Sequence, residues 1–264
     1  MFEKMQQKKG NAPFYMLLLA IVVIVMMMLR QCSVKSLPPR QDNIAGGDTI
    51  NVAIEISPVG VTLQRDTLSG TYYDMLADMA AQHGRPLKFH PFTQLQHALD
   101  GLDQGRYQIV VSDIPATSEL KEKYLFVDPV AIDKQVLVQR RDTATGAIDI
   151  ASQFDLAHRR VNVPHGSPFI SRLNNLAREI GDTIVVAEDP DYSSEQMIML
   201  VALGELDNVV VNERTARQLL EKYPNLDASV GISFNQFQGW ALAPRDSLLR
   251  DTLNSWLHAL PSTL

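Results

Sequence analysis

The chain begins with one apolar run and then settles into a regular alternation. Phe14 to Leu29 reads FYMLLLAIVVIVMMML, apolar throughout apart from the amphipathic Tyr15. As a helix at about 1.5 Å per residue it spans about 24 Å, slightly less than the ~30 Å hydrocarbon core. Flanking Arg30 and Lys35 can snorkel to make up the difference. The run has no polar face, so a buried helix of a water-soluble domain is disfavoured. Lys4, Lys8 and Lys9 form a positive leader, and no small-x-small cleavage site follows the run. The expectation is an uncleaved single-pass signal anchor at 14–29, with a cytoplasmic tail at 1–13. Lysines and arginines lie on both sides, so charge alone does not orient it. The short tail and long C-terminal part suit an anchor in the inner membrane with the domain in the periplasm. The alternative is a lipoprotein through Cys32: Leu29 stands at the lipobox offset, but Arg30 and Gln31 are not the small residues a lipobox needs. Residues 30–47, with two prolines and a glycine pair, read as a linker.

From Ile50 onward short apolar runs alternate with amphipathic stretches. Ile50–Ile54 predicts a strand, and Tyr72–His83 a helix with Leu76, Met79 and Ala80 on one face, ended by Gly84. Leu87–Phe92 predicts a strand, Leu95–Gln104 a helix, and Tyr107–Val111 a strand apolar enough to be buried on both faces. The pattern restarts after a strand at Gln135–Gln139. Strands at Val161–Val163, Thr183–Ala187 and Asn208–Val211 alternate with helices at Ser167–Ile180, Ser194–Gly204 and Thr215–Tyr223. A strand at Gly239–Ala243 and a helix at Leu248–Leu260 close the chain, the helix carrying Leu249, Leu253, Trp256, Leu257 and Leu260 on one stripe. Two βαβαβ units in sequence, with an apolar stripe left to cover, predict an α/β protein of two lobes, each a parallel or mixed sheet with flanking helices. Lobe 1 is expected at 48–134 plus 237–264 and lobe 2 at 135–236, with a cleft at the strand ends between them.

Composition narrows the function. Among 264 residues, 24 are basic and 30 acidic, a net charge of −6, which argues against a nucleic-acid partner. The single cysteine excludes an internal disulfide framework and a cysteine-rich zinc site. His83, His90 and His97 are evenly spaced but fall on a helix end, a strand and a helix, so they do not form one metal-binding face. There is no G-x-S-x-G, H-E-x-x-H or G-x-x-x-x-G-K-[ST] motif. No cofactor and no enzymatic activity are expected.

Four segments carry a resemblance to a known family. Gly70-Thr-Tyr-Tyr-Asp74 is similar to its G-F-D-x-D at the first helix. Gly105-Arg-Tyr-Gln-Ile-Val-Val111 is similar to its G-K-Y-D strand entry, and Tyr124-Leu-Phe-Val-Asp-Pro129 to its F-S-x-P segment before the hinge. Gly204-Glu-Leu-Asp207-Asn-Val-Val-Val211 is similar to G-x-x-D-A-x-x-x. Over about residues 48–262 the chain resembles family 3 of the bacterial solute-binding proteins, with the type-II periplasmic binding fold. Within it, the Ser57-Pro58 turn and its distance to Gly70 resemble the non-catalytic binding-protein-like module of lytic murein transglycosylase F. The resemblance implies a ligand held between two lobes, mostly polar amino acids in this family. It also exposes departures. The family's carboxylate-clamping arginine falls on Leu120, its ammonium-holding acid on Asn212, and a strand-end glycine on Asp113. A one-residue shift would put Glu213 in the amine role, and Lys121 is the nearest cation to Leu120.

Strand ends and helix starts supply the candidate ligand-binding residues: Glu55 and Ser57 after the first strand, Ser112, Asp113 and Thr117 after the third, His165, Gly166 and Ser167 at a second-lobe helix start, and Asn212 and Glu213 after a second-lobe strand. Free N–H groups at that helix start suit an anion; Ser167 before Pro168 also reads as an N-cap with proline at N1. The chain is therefore expected to be a membrane-anchored binding module for a small polar or peptidic ligand, with cell-wall fragments (muropeptides) the class the resemblance suggests. A permease or a cell-wall protein is the expected partner. The alternatives are an interaction or scaffold protein with a degenerate cleft, and an enzyme of the lytic-transglycosylase or dehydratase type.

Overall fold

A computed structural model describes residues 49–64 and 67–259. The expected anchor at 14–29, the linker and Cys32 lie outside the described residues. Among those described, no helix is long and apolar enough to cross a membrane.

The first sheet is built around two strands whose side chains are apolar in both directions. Strand β1 (Ile50–Glu55) has Val52 and Ile54 on one face and Ala53 on the other, all fully buried. Strand β5 (Ile109–Pro115) alternates in step, Ile109 and Val111 joining the first core and Val110 and Ile114 the second. β1 pairs in parallel with β4 (Leu87–Phe92) on one side and β5 on the other. Between them run helices α1 (Thr71–Gln82) and α2 (Leu95–Asp103), while a hairpin of β2 (Thr62–Gln64) and β3 (Thr67–Ser69) precedes α1. Gly70 stands where α1 starts, so close to the preceding loop that a Cβ would lie 2.3 Å from the Gly60 carbonyl oxygen. The short helix α3 (Ser118–Lys121) and strands β6 (Leu125–Phe126) and β7 (Ala131–Asp133) lead out of the first lobe.

The second lobe contains β8 (Gln135–Arg140), β9 (Arg160–Pro164), α4 (Phe169–Ile180), β10 (Val185–Asp189), α5 (Ser194–Leu203), β11 (Asn208–Asn212), α6 (Glu213–Leu220) and β12 (Leu226–Gly231). β9 and β10 are parallel, but β8 lies antiparallel between β11 and β12. Val136 and Val138 face one core and Leu137 the other, as do Val209 and Val211 against Val210. Side-chain amides join β9 to β11: Asn162 Nδ2 donates to the Asn208 carbonyl at 2.9 Å, and Asn208 Nδ2 to the Arg160 carbonyl at 3.0 Å.

The chain then returns. Strand β13 (Gln236–Leu242) inserts antiparallel between β5 and β6 and also pairs with β7. Trp240 on β13 is fully buried, edge-on to Tyr72 at 5.4 Å between ring centres. Helix α7 (Ser247–Ala259) buries Leu253 and Trp256 in the first-lobe core, with Leu249 and Leu257 packed alongside. The two crossings between lobes are tied to each other: the Gln135 N–H donates to Ser233 Oγ at 2.9 Å, and its carbonyl accepts from the Ile232 N–H at 2.7 Å.

Several boundaries differ from expectation. β5 continues to Pro115, because Ile114 and Pro115 pair with Gly239 and Gln238 of β13. The strand expected at Thr183–Ala187 lies two residues later, and α6 begins at Glu213 rather than Thr215. Hairpin β2–β3 and strand β12 lack the long apolar runs that the sequence reading relied on.

Candidate functional site

The cavity between the lobes is floored by the strand ends of both. From the first lobe come Glu55, Ser57, Tyr72, Ser112 and Asp113; from the second come His165, Ser167, Ser194, Asn212 and Thr215. It leaves about 40 Å³ of room for water-sized spheres, enough for very few waters. The lobes are closed on each other. Asn212 Nδ2 donates to the Asp113 carbonyl at 3.0 Å, Ser171 Oγ donates to Glu119 at 2.9 Å, and Gln94 donates to the Pro190 carbonyl. Gly166, at φ +62°, lies against Gln96, where a Cβ would come within 2.8 Å of the Gln96 Cβ.

The floor is acidic. Ser112 Oγ donates to Glu55 Oε2 at 2.7 Å, yet burial, joined by the charges of Asp113 and Glu195, pushes the Glu55 carboxyl up to about 7. Burial also raises Glu195, whose Oε1 is buried without a partner among the described residues. Asp113 accepts a hydrogen bond from the Tyr72 hydroxyl and is paired with Arg214 Nη1 at 3.2 Å. Burial holds its carboxyl above the ordinary range although both partners pull it down. Arg214 also donates to the Tyr72 hydroxyl at 3.1 Å, and its backbone N–H donates to Asp133 at the hinge at 3.2 Å.

Of the ten candidate residues, Glu55, Ser57, Ser112, Asp113, His165, Ser167 and Asn212 line this cavity. Thr117 and Gly166 line an adjoining groove instead, which Ser167 shares. Thr117 Oγ1 caps α3 by accepting the Leu120 N–H at 3.3 Å, and Ser57 Oγ accepts the Gly60 N–H at 2.9 Å in a turn. Glu213 lines neither space: its carboxylate is taken by Lys134 at 3.4 Å and Arg217 at 3.0 Å. The expected free N–H groups at the second-lobe helix are already used. The Gly166 N–H donates to Glu188 at 3.2 Å, a carboxylate that also meets His165 Nδ1 at 2.7 Å, and the Ser167 N–H donates to the Pro164 carbonyl at 3.2 Å. Nor is Ser167 the cap: Pro168 takes that position, and Ser167 Oγ is buried without a partner among the described residues. Asn212 Oδ1 is likewise buried and unpartnered.

Two residues of this centre escaped the sequence reading. Tyr72 lies inside the Gly70–Asp74 segment, where its position at the first helix start was a usable signal. Arg214 lies two residues beyond Asn212, far in sequence from Leu120, where the family's arginine falls. Leu120 itself packs against the second core of lobe 1.

The comparisons agree with this architecture. The profile of the bacterial extracellular solute-binding proteins, family 3, matches residues 49–263. A membrane-bound lytic murein transglycosylase F of Shewanella sediminis is 22% identical over 190 residues, covering 71% of this chain and 38% of that protein. One of Alteromonas mediterranea is 24% identical over 222 residues, covering 81% and 46%. The chain thus spans less than half the length of these relatives. Among solved structures, holo ArgBP from T. maritima superposes with a TM-score of 0.68 at 23% identity, covering 82% of this chain and 92% of that one. With a match over most of its length and the two-lobed fold to go with it, the chain belongs to the bacterial extracellular solute-binding proteins, family 3.

Proposed function

We propose that the chain is a non-catalytic, extracytoplasmic binding module, anchored through residues 14–29, that closes its lobes on a small polar or peptidic ligand. One observation carries this reading: side chains from both lobes converge on one cavity, where Asn212 Oδ1 and Ser167 Oγ are buried without partners among the described residues. Buried polar atoms cost about 1–3 kcal/mol each when unsatisfied, so a ligand that satisfies them favours the closed form. Asp113 is already engaged by Arg214 and Tyr72, so Glu55 and Asn212 Oδ1 are the acceptors that favour a group bringing N–H donors. Similarity to murein transglycosylases makes cell-wall fragments the proposed ligand source, and a permease or a cell-wall protein the proposed partner. The test is native mass spectrometry of the chain purified without refolding: a retained small polar compound, absent from Ser167→Trp, is expected.

A second reading has its own support. The Arg214–Asp113 pair and the small cavity at the strand ends describe a cleft floor held shut by its own side chains, as in an interaction or scaffold protein. It gains ground if the native spectrum shows no adduct and added ligands leave the protein unchanged.

A further inference from the structure

Beside the cavity runs a larger groove, also bounded by both lobes, with about 770 Å³ of room for water-sized spheres. Leu95, Ser167 and Pro168 line both spaces, so the groove adjoins the cavity at that wall. Leu120, Gln135, Asn174 and Arg178 are part of its lining. Its polar groups are incompletely satisfied. Gln135 is 1% exposed, and among the described residues its Oε1 has no partner and Ser167 Oγ, at the junction, has none either. A carboxamide oxygen can do nothing but accept, and a hydroxyl can do either, so this pair matches the N–H and C=O groups of an amide backbone. Leu120 supplies no charge to end a ligand at this wall, as a carboxylate clamp would. Arg178, which is in no ion pair among the described residues, brings a guanidinium to the groove.

We propose that the groove is the outer half of the ligand site and takes the continuing backbone of an oligopeptide whose inner end group enters the cavity. This rests on the cavity being a ligand site and adds the ligand class: a chain of amide-linked residues rather than one free amino acid.

The test uses the full chain in detergent micelles and native mass spectrometry, with two probe sets, the twenty amino-acid amides and a synthetic tripeptide pool. Tripeptides should bind at least about tenfold tighter than the best single-residue amide. Asn174→Trp fills the groove from an exposed position far in sequence from the cavity floor. It should abolish the tripeptide advantage and leave amide binding unchanged, and Lys123→Trp, an exposed groove residue of the first lobe, should do the same. If tripeptides bind no tighter than amides, or keep their advantage in both variants, the groove is not part of the site while the cavity reading stands. If neither probe set binds the folded chain, the cavity reading falls and the groove with it.

Discussion

Arg214 of the second lobe donates through one nitrogen to both carboxylate oxygens of Asp113 in the first, at 3.3 and 3.2 Å. Family resemblance implies an arginine at position 120 and an acid at 212, each waiting for a ligand. Here those positions hold Leu120 and Asn212, and the charges are found between the lobes as a pair already made. The protein's own guanidinium meets its own carboxylate across the cleft.

That pair should stabilise the closed form. Asp113 is 6% exposed and Arg214 about a third exposed. Breaking a fully buried pair costs ~3–5 kcal/mol, and solvent screening at Arg214 reduces this, so Arg214→Ala should cost about 1–3 kcal/mol in urea unfolding at pH 7. Asp113→Asn in the same background should recover part of the loss by removing the stranded charge. X-ray scattering should show a larger radius of gyration for Arg214→Ala. Equal stability of the variant and the parent protein would show that the pair does not hold the lobes.

Glu55 sets a pH dependence. Its carboxyl is raised from 4.5 to about 7 in the fold, so the folded state keeps a proton that the unfolded state has lost. Stability is therefore greatest below about pH 4.5 as far as this group is concerned, falls as pH rises to about 7, and levels off above. The total is at most about 3 kcal/mol at ~1.4 kcal/mol per pH unit. Glu55→Gln should flatten the stability profile between pH 5 and 8 and gain most at the alkaline end. An unchanged slope in the variant would assign the dependence to other groups.

The closing segment should be indispensable to the first lobe. β13 lies between β5 and β6, and α7 covers the core with Leu249, Leu253, Trp256 and Leu257. Burial of each is worth ~1.5–3 kcal/mol, a sum comparable to the whole stability of a domain, ~5–15 kcal/mol. A fragment ending at residue 236 should lose the cooperative transition of lobe 1 by circular dichroism; a stable, soluble 48–236 fragment would contradict this topology.

The hydrophobic pattern made β1, β4, β5, α1, α2 and α7 legible because each buries a face at a regular period. It could not reveal that β8 runs antiparallel, since Val136, Leu137 and Val138 are buried on both faces in either orientation. At the site, strand ends pointed to Glu55, Ser112, Asp113 and Asn212, which do meet in space. Two other candidates are engaged elsewhere in the fold. Glu213 turns to Lys134 and Arg217, and Glu188, distant in sequence, takes the Gly166 N–H. Which side chain reaches a backbone donor depends on packing between elements, and spacing along the chain does not encode it.

The cleft as a ligand site is tested most directly by a two-arm melting screen on the full chain. A ligand that binds only the folded state stabilises it by about 4 kcal/mol at a thousandfold excess over Kd, a shift of several degrees. Free α-amino acids at millimolar concentration should give no shift, because Leu120 offers nothing to a desolvated carboxylate and Asn212 no charge to an ammonium. Muropeptides should raise the melting temperature, and Ser167→Trp should cancel the rise. A flat response to muropeptides from a folded protein, or a shift of several degrees with a free amino acid, would contradict the account.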